Sequence, residues 1–121
     1  MATLAGVFDV ELDGETLILT PQKDMSELAY EDIETGGKAI MERLATGQVK
    51  NVIIDLHKTD YYGSTALGYF LKFWKRIRQK GGHMALCNVS EHEKEILRVT
   101  KLHHLWPICS SRQDAMRRMT V

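Results

Sequence analysis

The sequence predicts an α/β fold: a mixed four- to five-stranded sheet, opened by an antiparallel hairpin, with about four helices mainly on one side. Three observations lead there. An Asp-Gly turn joins two short apolar arms near the N-terminus, the turn chemistry of a tight hairpin. Val52, Ile53 and Ile54 form an unbroken β-branched run, which suits a strand covered on both faces. Strand-like and helix-like segments then alternate from Val49 to Met119, which implies βαβ units, parallel pairing and right-handed crossovers. At 121 residues the chain is expected to form one domain, 1–121, able to bury a core without disulfide staples.

The hairpin runs from Val7 to Leu12 and from Thr16 to Thr20 around Asp13-Gly14-Glu15. Phe8, Val10 and Leu12 alternate with Asp9 and Glu11, so one face of the first arm is expected inward. Pro21 ends the second arm because it cannot donate to a ladder. From Met25 to Thr46 the pattern becomes helical, with Ile33, Gly37, Ile40, Met41 and Leu44 on one stripe and Glu31, Asp32 and Glu34 near the positive end of the helix dipole. The Gly36-Gly37 pair implies close packing of this helix. It lacks the flanking Gly and Ser or Thr of a phosphate-binding loop, and no strand feeds it.

The central unit spans Asn51 to Gly82. After the strand and a polar turn, apolar residues recur at Leu67, Phe70, Leu71, Trp74 and Ile77, one buried helical face. Lys72, Lys75, Arg76, Gln79 and Lys80 form the opposite, solvated face, and Gly81-Gly82 ends the helix. Ser64 is expected at or near the N-cap, its hydroxyl accepting a hydrogen bond from a backbone N–H of the first turn. A strand follows from His83 to Val89. Ser90 and Glu93 have the spacing of a capping box for the next helix, which turns Ile96, Leu97 and Val99 or Thr100 inward. Trp106 to Cys109 is short and marked by Pro, so it reads as an edge strand. Ser110 or Ser111 starts a last helix that closes on Arg117 and Arg118.

Composition excludes several classes of function. Sixteen basic residues balance sixteen acidic ones, so no net field draws the chain to nucleic acid or an anionic membrane. No apolar run approaches the roughly 20 residues of a spanning helix, and no signal-peptide layout opens the chain. Cys87 and Cys109 make neither a disulfide framework nor a CxxC pair, which fits a reducing, cytoplasmic setting. The five histidines lack ligand spacing; His103 and His104, being adjacent, are expected to point apart, so no metal and no cofactor is predicted. Gly63-Ser64-Thr65-Ala66-Leu67 is not a nucleophile elbow, and no catalytic residue is assigned.

Asp55-Leu56 followed by Tyr61-Tyr62-Gly63-Ser64-Thr65-Ala66-Leu67-Gly68 resembles the signature of the STAS domain family, the bacterial anti-sigma factor antagonists. Gly81 to Val89 resembles that family's next strand, and Leu102 to Ile108 its closing Leu-x-x-x-aromatic-Pro-aliphatic segment. The resemblance covers residues 50 to 119 best. It departs at two positions, Gly63 for the family's Asp and Ala66 for its Gly. The resemblance implies a STAS-like fold with no catalytic activity of its own. It implies an anti-sigma factor or related serine/threonine kinase as partner, and phosphorylation at Ser64, with Thr65 as the alternative acceptor. The expected docking surface comprises Asp60, Tyr61, Tyr62, Gly63, Ser64, Thr65, Tyr69 and Phe73, since aromatics flanking a buried stripe are favoured interface anchors. Two alternatives remain: a STAS interaction module in a stress-signalling or sensory complex without phosphorylation, and a small serine hydrolase using Ser64.

Overall fold

Each strand of this chain pairs with the strand next to it in sequence, and that regularity decides where the helices go. The computed structural model describes residues 3–25 and 30–119. Among them the order is β1 (Thr3–Ala5), β2 (Phe8–Asp13), β3 (Thr16–Pro21), α1 (Tyr30–Leu44), β4 (Asn51–Asp55), α2 (Ser64–Gln79), β5 (Met84–Cys87), α3 (Glu91–Val99), β6 (Ile108–Cys109) and α4 (Arg112–Arg118). Strands β1, β2 and β3 pair antiparallel, and β3 through β6 pair parallel, in the spatial order β1-β2-β3-β4-β5-β6. The expected hairpin is present, with Asp13 opposite Thr16 and Gly14 at φ +61°, the left-handed backbone its turn requires. The mixed sheet, its opening hairpin and the four helices agree with the sequence reading. The sheet has one strand more than expected, β1, whose three residues are too short to show a period.

Right-handed crossovers between strands always added on the same side place their helices on one face. Leu17, Leu19, Val52, Ile54, Met84 and Leu86 turn to that face and join one core with Ile33, Ile40 and Leu44 of α1, Phe70 and Ile77 of α2 and Leu97 of α3. Ile18, Ile53, Ala85 and Cys87 alternate to the other face, where Ala115 and Met119 at the end of the chain cover them. All six residues of β3 are buried, as a strand covered on both sides demands.

Met25, read from the sequence as the start of this helix, instead forms a parallel bridge with Tyr62; residues 26–29 lie outside the described ones, and α1 is described from Tyr30. The glycine pair is where α1 packs closest. A Cβ on Gly36 would stand 2.3 Å from the Ala5 carbonyl oxygen, and one on Gly37 would stand 2.4 Å from the Tyr69 ring. The far ends of α1 and α2 are joined by Lys80, whose Nζ donates to the carbonyls of Leu44, Thr46 and Val49, each at 2.6 Å. These are the carbonyls a helix end and its exit loop leave unpaired.

Two expectations in the second half need correcting. Val99, 70% exposed, and Thr100 do not turn inward; the helix ends at Val99 with Thr100 as its cap, and its inward side is carried by Leu97 with Ile96 beside it. His103 and His104 do not point apart: their rings lie against each other at a 42° tilt with centroids 3.8 Å apart. The capping box of α3 is present, and Ser111 caps α4 by accepting from the Asp114 N–H at 3.1 Å.

Candidate functional site

The site stands at the carboxyl ends of the parallel strands, where chain leaving β4 must cross to the start of α2. Asp55 closes β4 and is only 2% exposed. A carboxylate taken from water must find donors to replace it. Its Oδ1 accepts from the His57 backbone N–H at 3.1 Å, from Asn88 Nδ2 at 2.9 Å, and lies 2.9 Å from His57 Nδ1. Its Oδ2 accepts from Arg112 Nε at 3.0 Å, and the same guanidinium reaches Glu11 at 2.8 Å and the Thr20 hydroxyl at 3.2 Å. Burial alone would push the Asp55 carboxyl up; the hydrogen bonds from Asn88, His57 and Arg112 outweigh it and hold the carboxyl below its ordinary value.

The loop from Leu56 to Gly63 is fastened at several points. The Thr59 hydroxyl donates to Glu93 Oε2 at 2.9 Å, and the Tyr62 hydroxyl to the Glu93 carbonyl at 2.9 Å. The other Glu93 oxygen accepts from the Ser90 N–H at 2.9 Å, so one buried side chain closes the α3 cap and holds the loop. Burial raises the Glu93 carboxyl above its ordinary value, against the lowering effect of the bonds from Ser90 and Thr59. The Asp60 N–H donates to Asp24 at 2.8 Å, Ser90 Oγ donates to the Asp60 carbonyl at 3.3 Å, and the Gly63 N–H donates to the Met25 carbonyl at 3.1 Å. The loop at Asn88 to Ser90 is thus the neighbour of this turn.

Helix α2 starts from this held loop. Gly63 takes the cap position in extended conformation, offers no side-chain cap, and no acidic residue occupies the first turn. Ser64 is therefore the first helical residue rather than the cap: its neighbour, one residue earlier, has the extended backbone a cap needs. Its side chain is exposed, and its hydroxyl has no hydrogen-bond partner among the described residues. Among the described residues no histidine or carboxylate hydrogen-bonds it. Gly68, one turn on and on the same side of the helix, is open: a Cβ there would meet nothing within 4 Å.

Asp60 and Tyr61 lie at the surface with Ser64, and Gly63 and Thr65 are half-buried beside them. Tyr62, Tyr69 and Phe73 do not belong to the exposed surface expected of them; they are 1%, 5% and 0% exposed. Tyr62 packs edge-on to Phe70, Phe73 edge-on to Phe8, and Tyr69 fills the gap left by Gly37. The buried stripe of α2 is wider than one row because the sheet covers one side and α1 the flank. Sequence reasoning missed His92, whose ring lies 5.5 Å from that of Tyr61 at the rim. It also missed Asn88, Glu93 and Arg112 as partners of the turn. The Ser90-Glu93 spacing was visible, but its second role reaches 34 residues back to Thr59.

The model of the STAS domain family matches residues 8–115, nearly the whole chain. This chain belongs to the STAS domain family. Among curated relatives, the STAS domain is 30% identical over 66 residues to a Bordetella bronchiseptica protein provisionally named anti-sigma factor antagonist BtrV, covering 54% of this chain and 57% of that one. It is 29% identical over 80 residues to the anti-sigma F factor antagonist of Paenibacillus polymyxa, covering 66% of this chain and 68% of that one. The match thus spans little more than half the length of the first of these relatives. Among solved structures, a Thermotoga maritima protein provisionally named an anti-sigma factor antagonist superposes with TM-score 0.84 at 23% identity, over 94% of this chain and 95% of that one. The phosphorylated form of the Bacillus cell fate determinant SpoIIAA gives TM-score 0.71 at 20% identity, over 92% and 97%. At these identities the structural likeness establishes the fold. Among the described residues of the STAS domain no helix is long and apolar enough to cross a membrane.

Proposed function

We propose that this STAS domain is a regulatory binding module in the cytoplasm that docks an anti-sigma factor of the serine-kinase type, and that Ser64 is its phosphoacceptor. The observation that carries the reading is an exposed, unpartnered hydroxyl at the start of a helix with neither a cap nor an acidic first turn. The names of the relatives in Bordetella and Paenibacillus support the class of partner, and SpoIIAA, solved in a phosphorylated form, supports a phosphate on this fold.

A phosphate on Ser64 would bring about −1.5 to −2 charges to a helix start whose free N–H groups favour an anion. Within the domain it is tolerated, stabilised by about 0.3–1 kcal/mol at an exposed helix end. To a partner seated on Asp60, Tyr61, Ser64 and the open side of Gly68 it is a new charge at the interface. The switch would act by removing complementarity while the domain keeps its shape. The held loop serves that purpose, since a surface fixed by Thr59, Tyr62 and Glu93 loses little entropy on docking. Cys87 and Cys109 are free and buried, and burial pushes Cys87 up to about 12, an inert thiol suited to a reducing compartment.

Affinity capture from the native cell followed by mass spectrometry tests both parts. The expected result is a co-purified anti-sigma factor with a kinase fold and a phosphate on Ser64. Ser64→Ala should stay folded, keep binding and accept no phosphate, and Ser64→Asp should lose at least tenfold in affinity. Undiminished binding by Ser64→Asp would discard the charge switch. Gly63, which leaves no carboxylate beside the serine, favours a second reading in which the same surface docks its partner constitutively. Capture of the partner with an unmodified Ser64 in every growth condition would select it.

A further inference from the structure

At the opposite end of the sheet from Ser64 the molecule has a cavity of about 580 Å³, within the size range of small-molecule sites. It lies between the last turns of α2, the entry to β5, the loop before β6 and the end of α4. Arg78, His83, His104 and Arg118 line it, and no carboxylate is among its described lining residues. Neither arginine has an ion-pair partner among the described residues, whereas Arg98, Arg112 and Arg117 each do. Two permanent positive charges in one concavity, with two imidazoles and no counter-charge among the described lining residues, repel one another and raise a local positive potential on a protein of zero net charge.

One wall of this cavity is the Trp74 ring. The Trp74 ring lies under the Arg78 guanidinium at 5.2 Å and meets Trp106 edge-on at 6.3 Å. The loop before β6 also holds two buried nitrogens with no hydrogen-bond partner among the described residues, His103 Nδ1 and Trp106 Nε1. Neither His103 nor Trp106 is among the residues that line the cavity. The guanidinium groups offer paired donors that match a carboxylate or phosphate, and the indole face with Leu105 and Met119 offers an apolar bed for a ring.

We infer that this cavity binds a small organic anion, a carboxylate or phosphate monoester carried on a planar apolar body. The site is separate from the Ser64 surface and stands whether or not Ser64 is phosphorylated: α2 begins at one and ends at the other, about 20 Å apart at the helical rise per residue.

Trp74 lines this cavity and Trp106, the chain's other tryptophan, packs against it, so tryptophan fluorescence excited where tyrosine does not absorb reports on the site. Titration of the full chain with phenyl phosphate is expected to give a saturable change, with benzoate as the arm that ranks the two head groups. In the R78Q/R118Q double variant, checked for unchanged far-ultraviolet circular dichroism, the affinity should fall at least tenfold; both side chains are exposed, so folding should persist. The charge reversal R118E, a second and independent variant, should abolish the response, and Ser64→Ala should leave it intact. No saturable change with either anion, equal affinity in the R78Q/R118Q variant, or equal binding of neutral benzyl alcohol would overturn the inference.

Discussion

A carboxylate withdrawn from water keeps its charge only where donors stand in for the solvent, and Asp55 has them from three separate parts of the chain. Removing one leaves the remaining charge buried. Arg112→Ala is expected to cost about 3 kcal/mol, the low end for breaking a buried pair because the arginine itself is a third exposed. Chemical denaturation would read it as a lower midpoint with unchanged slope. Glu93 works with the opposite sign. Its folded value is raised, so the native state holds that proton more tightly than the unfolded chain, and stability falls as pH rises from its ordinary value of 4.5 through the raised one. Asp55, with its lowered value, gives stability that is present above its ordinary 3.8 and lost as pH falls through the folded value. Glu93→Gln keeps the cap geometry and removes the buried charge. Its denaturation midpoint should stay level over the window in which the wild type declines, and a variant that declines in parallel would show that Glu93 is not the titrating group. At this scale the sequence was only partly legible. Asp55 and Ser64 stand out in a short motif, but Arg112 comes 57 residues after Asp55, and no local spacing announces that contact.

Glycine positions show how a helix records its surroundings. Gly36 and Gly68 both sit inside helices, where Ala is favoured by about 1 kcal/mol. Gly36→Ala should nevertheless destabilise by about 1–3 kcal/mol, since its methyl would strike the Ala5 carbonyl. Gly68→Ala should gain about 0.5–1 kcal/mol, because nothing lies within reach of the added methyl. Thermal melts of the two variants should move in opposite directions. The new methyl of Gly68→Ala also stands one turn from Ser64 on the same side, so the more stable variant should bind the partner more weakly; undiminished binding would place docking elsewhere. Element types were legible because period and punctuation agree: Asp-Gly for the hairpin, Ser90 with Glu93 for α3, Gly81-Gly82 after α2. Faces were less so. Tyr69 reads as a flank of α2 until α1 is laid beside it, and that packing depends on a missing side chain at Gly37.

For the molecule as a whole, the alternation of Ile53 with Val52 and Ile54 divides the protein into a thick layer of three helices and a thin one of α4. The handedness rule anticipates the thick layer from sequence alone. It says nothing of α4, since no strand follows that helix to complete a crossover. β1 was equally out of reach, being three residues whose place is set by β2. The spatial order of the sheet repeats the chemical order of the chain without exception. As the ribosome delivers this polypeptide, every new strand therefore finds its docking edge already built, and none must wait for a later segment or be threaded between two earlier ones. Hydrogen-exchange pulse labelling on ribosome-bound chains of increasing length should show amide protection spreading from β2 and β3 toward β6; protection arising everywhere at once would mean that the sheet closes as a single event.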